Sequence, residues 1–279
     1  MNNKNQKGRK TSSANTKLIK VLSCIAGALL ILVIALLLMI PRQDADETIP
    51  TTEATIETTI VTEPTTEPTT EPTTVPTEPA AVMLPEYEEL YAQNPDLAGW
   101  IRIADTVVDY PVMYTPEDGE KYIYANFKGN FDVNGLPFLK DKCSIDPESD
   151  NLLIYAHNMK NGSMFATLMY YTKESFWRNH PVIEYSNLYE NREYEIIAAF
   201  YDRVYYKYED CFKFYQFIDA EDEEHFQEAI DYFKEKSLYD TGVTAEYGDK
   251  LITLITCSYH EKNGRFVVVA RLIEPDTAE

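Results

Sequence analysis

The pattern of apolar and polar positions divides the chain into three parts. Residues from Val21 to Ile40 form an apolar run without a single charge, and residues from Thr48 to Pro79 are almost entirely Thr, Glu and Pro. From about Val82 to the C-terminus, apolar and polar residues alternate over short distances. Roughly 200 residues of this kind can bury a core without disulfide support. The pattern therefore predicts one folded domain at residues 82–279.

Short apolar runs bounded by turn-forming residues recur through this domain, and they are typical of β-strands. Eight runs qualify, and that many short strands predicts a closed or nearly closed barrel. The predicted strands are Trp100–Ile103, Val107–Val112, Leu136–Leu139, Leu152–Ala156, Val182–Tyr185, Tyr194–Phe200, Leu251–Cys257 and Phe266–Ile273.

Helical periodicity appears in four further segments. The first carries Leu84, Tyr87, Leu90 and Tyr91 on one face and ends at the Asn94-Pro95 turn. The clearest lies between the sixth and seventh strands, at Asp222–Lys236, where Phe226, Ile230 and Phe233 share a face. Two weaker segments are Lys121–Phe127 and Ser163–Tyr170. The predicted fold is mainly β with helices: a barrel with an N-terminal helix and a helical insertion before the seventh strand.

The apolar run at residues 21–40 is long enough to span a hydrocarbon core of about 30 Å as a helix. Six Lys and Arg residues and no acidic residue precede it, which predicts a cytoplasmic N-terminus and an exported remainder. No clear A-x-A cleavage site follows, so we expect an uncleaved transmembrane signal anchor rather than a cleaved signal peptide. The predicted order is a basic cytoplasmic segment at 1–20, the anchor at 21–40 and an extracellular stalk at 41–81.

The stalk repeats a Thr-Thr-Glu-Pro unit, with proline at positions 64, 68, 72 and 76. Repeated prolines favour extended polyproline II, and such a composition buries too little apolar surface to fold. At about 3.1 Å per residue, the segment would hold the domain up to about 120 Å from a membrane.

Charge restricts the class of partner. The chain has 25 Lys and Arg against 46 Asp and Glu, a formal net charge of −21. Without the six cations that precede the apolar run, the remainder carries −27. Such acidity opposes contact with phosphates, so we expect no nucleic-acid partner.

Three of the four cysteines, Cys143, Cys211 and Cys257, lie in the part predicted to be exported. An odd number leaves at least one thiol unpaired in an oxidising compartment. A Cys143–Cys211 disulfide and a pair of inert buried thiols both remain open.

Cys257 is the candidate nucleophile, because it ends the apolar strand from Leu251 and is followed by a polar loop. Arg265 opens the next strand, so a hairpin would place these two residues side by side at its open end. A guanidinium there favours the thiolate and stabilises the oxyanion of a tetrahedral intermediate. A buried structural cysteine is the alternative for Cys257 on its own.

A cysteine nucleophile needs a proton-transfer partner, and the chain has four histidines. His225 lies in the acidic helix, His180 precedes a proline in a turn, and His260 sits in a flexible loop three residues after Cys257. His157 ends a predicted strand, which makes it the best-placed candidate. A zinc site from His157, Cys257 and His260 is a further possibility, but no close ligand pairs of the C-x2-C kind support it.

Several segments resemble class B sortases. The string from Ile154 to Phe165, Ile-Tyr-Ala-His-Asn-Met-Lys-Asn-Gly-Ser-Met-Phe, is similar to their histidine motif. Thr253-Leu-Ile-Thr-Cys257 resembles the TLxTC motif, and Gly264-Arg265-Phe-Val-Val resembles the arginine strand. Asn94-Pro-Asp-Leu-Ala-Gly-Trp-Ile and Ser237-Leu-Tyr-Asp-Thr-Gly are also similar, so the resemblance spans about residues 86–273.

Three positions depart from the family pattern. Ala156 stands where a glycine usually precedes the histidine, and Ile255 stands where many class B members have serine. Tyr124 lies where several relatives place a substrate-contacting asparagine. The recognised peptide is therefore expected to differ from theirs.

The resemblance implies a sortase-like eight-stranded barrel and a cysteine transpeptidase that needs no cofactor. Such an enzyme cleaves a C-terminal sorting signal, keeps the substrate as a thioacyl-enzyme and transfers it to an amine of a peptidoglycan precursor or a pilin. Cys257 would be the nucleophile, His157 the proton-transfer group and Arg265 the electrostatic stabiliser. Tyr155 and Thr256, inside the two motifs, are predicted to bind substrate.

Two other functions remain open from the sequence. The first is a hydrolytic cysteine endopeptidase at the cell surface, which would pass the acyl group to water. The second is a non-enzymatic stalked adhesin. The C-terminal sequence Arg271-Leu-Ile-Glu-Pro-Asp-Thr-Ala-Glu lacks the apolar stretch and basic tail expected of a wall-anchored substrate.

Overall fold

Eight β-strands close into a barrel in the computed structural model, which describes residues 81–274. The order around the barrel is β1-β2-β3-β4-β7-β8-β6-β5, with β5 pairing back to β1. The strands are β1 (Leu97–Arg102), β2 (Asp109–Met113), β3 (Phe138–Leu139), β4 (Asn151–Tyr155), β5 (Val182–Asn187), β6 (Glu193–Arg203), β7 (Leu251–Cys257) and β8 (Gly264–Leu272).

Three α-helices and three 3-10 helices decorate the barrel over the described range. The α-helices are α1 (Pro85–Gln93), α2 (Glu174–Asn179) and α3 (Glu223–Lys236), and the 3-10 helices are Lys121–Ile123, Phe165–Thr172 and Phe214–Gln216. Within residues 81–274, none of these helices is long and apolar enough to cross a bilayer. The predicted cytoplasmic segment, the anchor and nearly all of the stalk lie outside the described residues.

The pairing of β4 with β7 decides where polar groups gather. These two strands are parallel, so their C-terminal ends lie at the same edge of the barrel. β8 runs antiparallel to β7 and begins at that edge. Residues that end β4 and β7 or begin β8 therefore converge, whatever their separation along the chain.

The core explains why these strands are so apolar. Every residue of β7 except Cys257 is buried, as is typical of a strand covered on both faces. α3 covers the outer side of β6 and buries Phe226, Ile230 and Phe233, which confirms the predicted face. Its N-terminus is capped by Asp222, whose side chain accepts a hydrogen bond from the His225 amide at 2.9 Å.

The predicted barrel, N-terminal helix and helical insertion are confirmed, while two local predictions were wrong and one short helix was missed. The segment predicted as a helix at Lys121–Phe127 is helical only to Ile123, because Asn126 starts a turn by accepting backbone hydrogen bonds from Lys128 and Asn130. The helix predicted from Ser163 begins at Phe165 as a 3-10 helix, since Met164 has a φ of 56°. The short α2 was not predicted, because six residues show too little periodicity.

Candidate active site

Cys257 and Arg265 are direct cross-strand partners in the β7–β8 ladder. Opposed residues of an antiparallel pair project on the same face with Cβ atoms about 5 Å apart. The predicted neighbour relationship is thus confirmed. The pair lies at the end of the hairpin that the loop 258–263 closes. The predicted location at the open end of the hairpin was therefore wrong, because a nucleophile that ends β7 must adjoin the loop that leads to β8.

Arg265 is partly held by its own loop. Its Nη1 donates hydrogen bonds to the carbonyl oxygens of Asn263 and Gly264, at 3.2 and 3.0 Å. Within residues 81–274, Nε and Nη2 of Arg265 make no hydrogen bond that meets normal geometry. The guanidinium is therefore oriented by two contacts and keeps donors for a further acceptor.

His157 follows the last residue of β4 by two positions. The β4–β7 ladder pairs Tyr155 with Ile255, and the Ala156 amide donates to the Ile255 carbonyl at 3.2 Å. His157 is half-buried, and its Nε2 lies 2.9 Å from the carbonyl oxygen of Ile123. Its backbone carbonyl accepts from the Phe165 amide at 2.9 Å, which closes the loop 158–164.

One cavity of about 130 Å³ brings the three candidate catalytic residues together. His157, Cys257 and Arg265 share its wall with Tyr155 and Thr256, so the two predicted substrate-binding residues line the same space. The remaining wall is largely apolar and consists of Tyr122, Ile123, Leu136, Phe138, Ala156 and Ile255.

Tyr155 and Thr256 differ in what they present to this cavity. Burial raises the pKa of Tyr155, and the positive charge of Arg265 partly offsets that rise. The Tyr155 ring stacks on Phe138 with centroids 5.9 Å apart. Thr256 is only 1% exposed, and its hydroxyl donates to the Ala156 carbonyl at 2.8 Å. Its hydroxyl thus connects β7 to β4, and its role in substrate binding stays a prediction.

Asn158 is a site residue that the sequence reasoning did not single out. Its Nδ2 donates to the backbone carbonyl of Cys257 at 2.9 Å, which links the loop after His157 to the candidate nucleophile. The only signal in the sequence was its place next to His157 in the motif. A hydrogen bond from a side chain to a backbone carbonyl produces no recognisable residue spacing in the sequence.

The other three histidines are engaged elsewhere. His260 bonds Ser258 Oγ through Nδ1 at 2.9 Å and contacts Glu261 through Nε2 at 3.1 Å. It also covers Gly264, where a Cβ would lie 2.8 Å from the imidazole, so a side chain at 264 would force the loop to move. His180 bonds the Phe176 carbonyl and stacks on its ring, and His225 contacts Phe217.

Tyr124 borders the site beside His157. Its ring centroid is 5.4 Å from that of His157 and 6.3 Å from that of Phe131, and its side chain is 54% exposed. The exposed ring therefore presents a largely apolar surface beside His157.

The other two cysteines within residues 81–274, Cys143 and Cys211, are both free thiols, so the alternative of a disulfide between them was wrong. Cys143 is buried, and burial raises its thiol pKa to about 11. Cys211 is exposed, which corrects the expectation of two buried thiols. Among residues 81–274, no group of three or more His, Cys, Asp or Glu side chains is arranged to hold a metal ion.

Comparison with known proteins places this arrangement in a family. The sortase domain family matches residues 101–273. Sortase B of Listeria monocytogenes is 33% identical over 192 residues, covering 67% of this chain and 74% of that protein. Sortase B of Staphylococcus aureus is 28% identical over 192 residues, covering 68% and 75%.

The barrel is also similar to solved structures. A Staphylococcus aureus sortase B–substrate complex matches with a TM-score of 0.62 at 27% identity, covering 69% of this chain and 86% of that chain. Sequence motifs, strand order and relatives therefore agree, and the chain belongs to the sortase family of cysteine transpeptidases, within class B.

Proposed function

We propose that this chain is a cell-surface transpeptidase that cleaves the C-terminal sorting signal of secreted proteins. It would hold the N-terminal product as a thioacyl-enzyme on Cys257 and transfer it to an amine of a peptidoglycan precursor or a pilin. The observation that carries the proposal is the shared cavity, where Cys257 lies opposite Arg265 on adjacent strands and His157 lines the same wall.

The geometry supports a role for each side chain in this reaction. The Cys257 sulfur attacks the scissile carbonyl, a C–S bond forms, and the negative charge that develops on oxygen faces the free donors of Arg265. The C–N bond then breaks as His157 gives a proton to the leaving amine. The incoming amine reverses these steps, with His157 as the base that receives its proton.

The cavity also supports an extended peptide as substrate. Its wall is mostly apolar, and its few polar side chains include those of His157, Cys257 and Arg265. Binding sites of this kind hold a ligand through apolar contacts, and a few placed polar groups orient it. The exposed ring of Tyr124 adds a further apolar surface beside His157, so we expect a peptide whose side chain near the scissile bond is apolar.

The proposed location is the outer face of the cell membrane, with the N-terminus in the cytoplasm. The apolar run at 21–40, the cations before it and the proline-rich stalk support this arrangement. Protease added to intact cells should remove the folded domain by cutting within residues 41–80. Survival of the full-length chain on intact cells, with cleavage only after lysis, would contradict this location.

A product assay tests the activity. The purified full-length chain is incubated with a panel of fluorescent peptides that carry candidate sorting pentapeptides, with or without triglycine. The proposal predicts a thioacyl adduct on Cys257 by intact-mass spectrometry and a triglycine conjugate as product. Cys257→Ala should give neither.

The other outcomes separate the alternatives. Cleavage of a peptide without any conjugate, even at millimolar triglycine and with hydroxylamine as a second acceptor, would favour the endopeptidase. Absence of an adduct and of cleavage across the whole panel would contradict an enzymatic role for this cavity.

A further inference from the structure

His157 bonds a backbone carbonyl through Nε2, at 2.9 Å from the Ile123 oxygen. A carbonyl oxygen has no proton to give, so Nε2 must be the donor in this contact. In a neutral imidazole with a protonated Nε2, the basic lone pair is on Nδ1. The Ile123 carbonyl thus selects which ring nitrogen is free to exchange a proton.

The position of this carbonyl is fixed by close packing around the 3-10 helix Lys121–Ile123. The Leu136 amide donates to the Tyr122 carbonyl at 3.0 Å. Gly135, at a φ of 58°, lies so close that a Cβ would be 2.3 Å from the Ile123 oxygen. Only glycine tolerates both the backbone conformation and this approach. The carbonyl therefore has little room to move.

A polar network anchors the same helix to the segment Asn94-Pro-Asp96. Tyr122 is 1% exposed, and its hydroxyl donates to Asp96 Oδ2 at 2.8 Å and accepts from Asn94 Nδ2 at 2.7 Å. Lys121 pairs with the same Asp96 oxygen at 2.5 Å, and Asn94 Nδ2 also reaches the Phe127 carbonyl at 2.7 Å. This segment, which resembles class B sequences, thus contacts the 3-10 helix through Lys121 and Tyr122 and the residues after it through the Phe127 carbonyl.

We propose that Asp96 and Tyr122 are positioning residues for His157. They hold the 3-10 helix so that the Ile123 carbonyl keeps Nε2 protonated, and Nδ1 becomes the atom that carries the catalytic proton. This inference rests on the proposed function, in which His157 serves Cys257.

The protons balance over the two steps of the reaction. In acylation, the imidazolium loses its Nδ1 proton to the leaving amine and becomes the neutral form with Nε2 protonated. In the transfer step, Nδ1 takes a proton from the incoming amine and the imidazolium returns. Nε2 keeps its proton and its bond to Ile123 in both steps, so the ring need not rotate between them.

Nitrogen NMR tests the tautomer without any substrate. In the full-length chain labelled with ¹⁵N-histidine, the His157 signals are assigned by their loss in His157→Ala. At a pH where His157 is neutral, we expect Nε2 to have the chemical shift of a protonated nitrogen and Nδ1 that of an unprotonated one. The opposite tautomer as the main form in the unmodified chain would overturn the proposal.

Two substitutions test the positioning network. Tyr122→Phe and Asp96→Asn should increase the fraction of the other tautomer and lower kcat by about 10- to 100-fold, because small misplacements of a catalytic group are costly. KM should change by less than about twofold, since Tyr122→Phe keeps the ring that lines the cavity and Asp96 does not line it. The pH profile of kcat should shift with the tautomer fraction.

Tyr171→Phe is the matched control, because Tyr171 is also a buried tyrosine with a bonded hydroxyl. Its hydroxyl donates to the backbone carbonyl of His180, at 2.9 Å, rather than to the Asp96 network. This substitution should change neither the tautomer nor kcat. An unchanged tautomer and an unchanged kcat in folded Tyr122→Phe and Asp96→Asn would contradict the proposal. If one of these variants fails to fold, the other variant and the tautomer of the unmodified chain still test the proposal. Full activity of His157→Ala would instead refute the proposed function and leave the tautomer result standing.

Discussion

Asn158 donates a hydrogen bond from Nδ2 to the backbone carbonyl of Cys257 at 2.9 Å, across 99 positions of sequence. Thr256 Oγ1 makes the complementary link to the Ala156 carbonyl at 2.8 Å. Both bonds lie beyond the last paired residues of the β4–β7 ladder, Tyr155 and Ile255. The ends of the two strands are therefore fixed relative to each other by side chains as well as by backbone pairing.

Asn158→Ala should lower the rate of thioacyl formation by about tenfold, because the loop that carries His157 loses its link to the nucleophile. The overall fold should persist, since the ladder itself is untouched. Single-turnover acylation followed by mass spectrometry measures the effect.

The control is Asn161→Ala. Asn161 is exposed in the same loop and accepts hydrogen bonds from the Ser163 amide and hydroxyl at 3.1 and 2.7 Å, without contacting Cys257. An equal loss of rate in both variants would show that general loop order, rather than the bond to Cys257, sets the acylation rate.

His157→Ala should reduce peptide cleavage by at least about a hundredfold, because proton transfer by a placed side chain contributes about 10²- to 10⁴-fold. His260→Ala should change it only a few-fold, since His260 bonds Ser258 and packs on Tyr201 with centroids 4.7 Å apart. Steady-state cleavage and amine-capture rates measure both, with circular dichroism as the check on folding. A severe loss for His260 with a mild one for His157 would reverse the assignment.

Arg265→Lys should lose most activity, because a lysine offers one compact ammonium in place of a planar fork with directed donors. The two hydrogen bonds that Arg265 Nη1 donates orient the fork, and a lysine cannot reproduce both while also meeting an oxyanion. The matched control is Arg271→Lys on the same strand, where the ion pairs of the guanidinium within residues 81–274 are long, at 3.8 Å. Near-normal turnover of folded Arg265→Lys would reduce the role of Arg265 to a generic positive charge.

The sequence predicted strands best where burial is continuous. β7 was placed with its observed limits, Leu251–Cys257, because an apolar run flanked by polar residues marks both of its ends. β3 was predicted from Leu136 but begins at Phe138, since the Leu136 amide donates to the Tyr122 carbonyl of the 3-10 helix Lys121–Ile123 rather than to a neighbouring strand. Contacts of that kind depend on the tertiary fold and leave no periodicity.

The same limit applies to the site. Cys257 and Arg265 could be paired from the sequence because a short loop joins their strands, and strands joined by a short loop pair with each other as a hairpin. The Ile123 carbonyl could not be assigned to His157, because backbone groups carry no residue identity and the two lie 34 positions apart. Motif resemblance supplied the histidine but not the hydrogen bond that selects its tautomer.

Cys143 should make the folded state sensitive to alkaline pH. Its thiol lies among buried residues and accepts from the Leu153 amide at 3.4 Å, and burial raises its pKa from 9.0 to about 11. The folded state therefore holds this proton more tightly than the unfolded state does. This stabilisation of the folded state is complete at a pH below the thiol pKa of the unfolded state. It is lost as the pH rises from that value through the thiol pKa of the folded state, at about 1.4 kcal/mol per pH unit.

A comparison with Cys143→Ala isolates this contribution, because buried tyrosines titrate at high pH in both proteins. The free energy of unfolding is measured by urea denaturation at pH 8, 9, 10 and 11. The stability advantage of the unmodified chain over Cys143→Ala should be constant up to about pH 9 and then shrink by about 2 to 3 kcal/mol by about pH 11. Cys211→Ala, which removes an exposed thiol, should run parallel to the unmodified chain throughout. A difference for Cys143→Ala that stays constant from pH 8 to 11 would show that burial does not hold this proton.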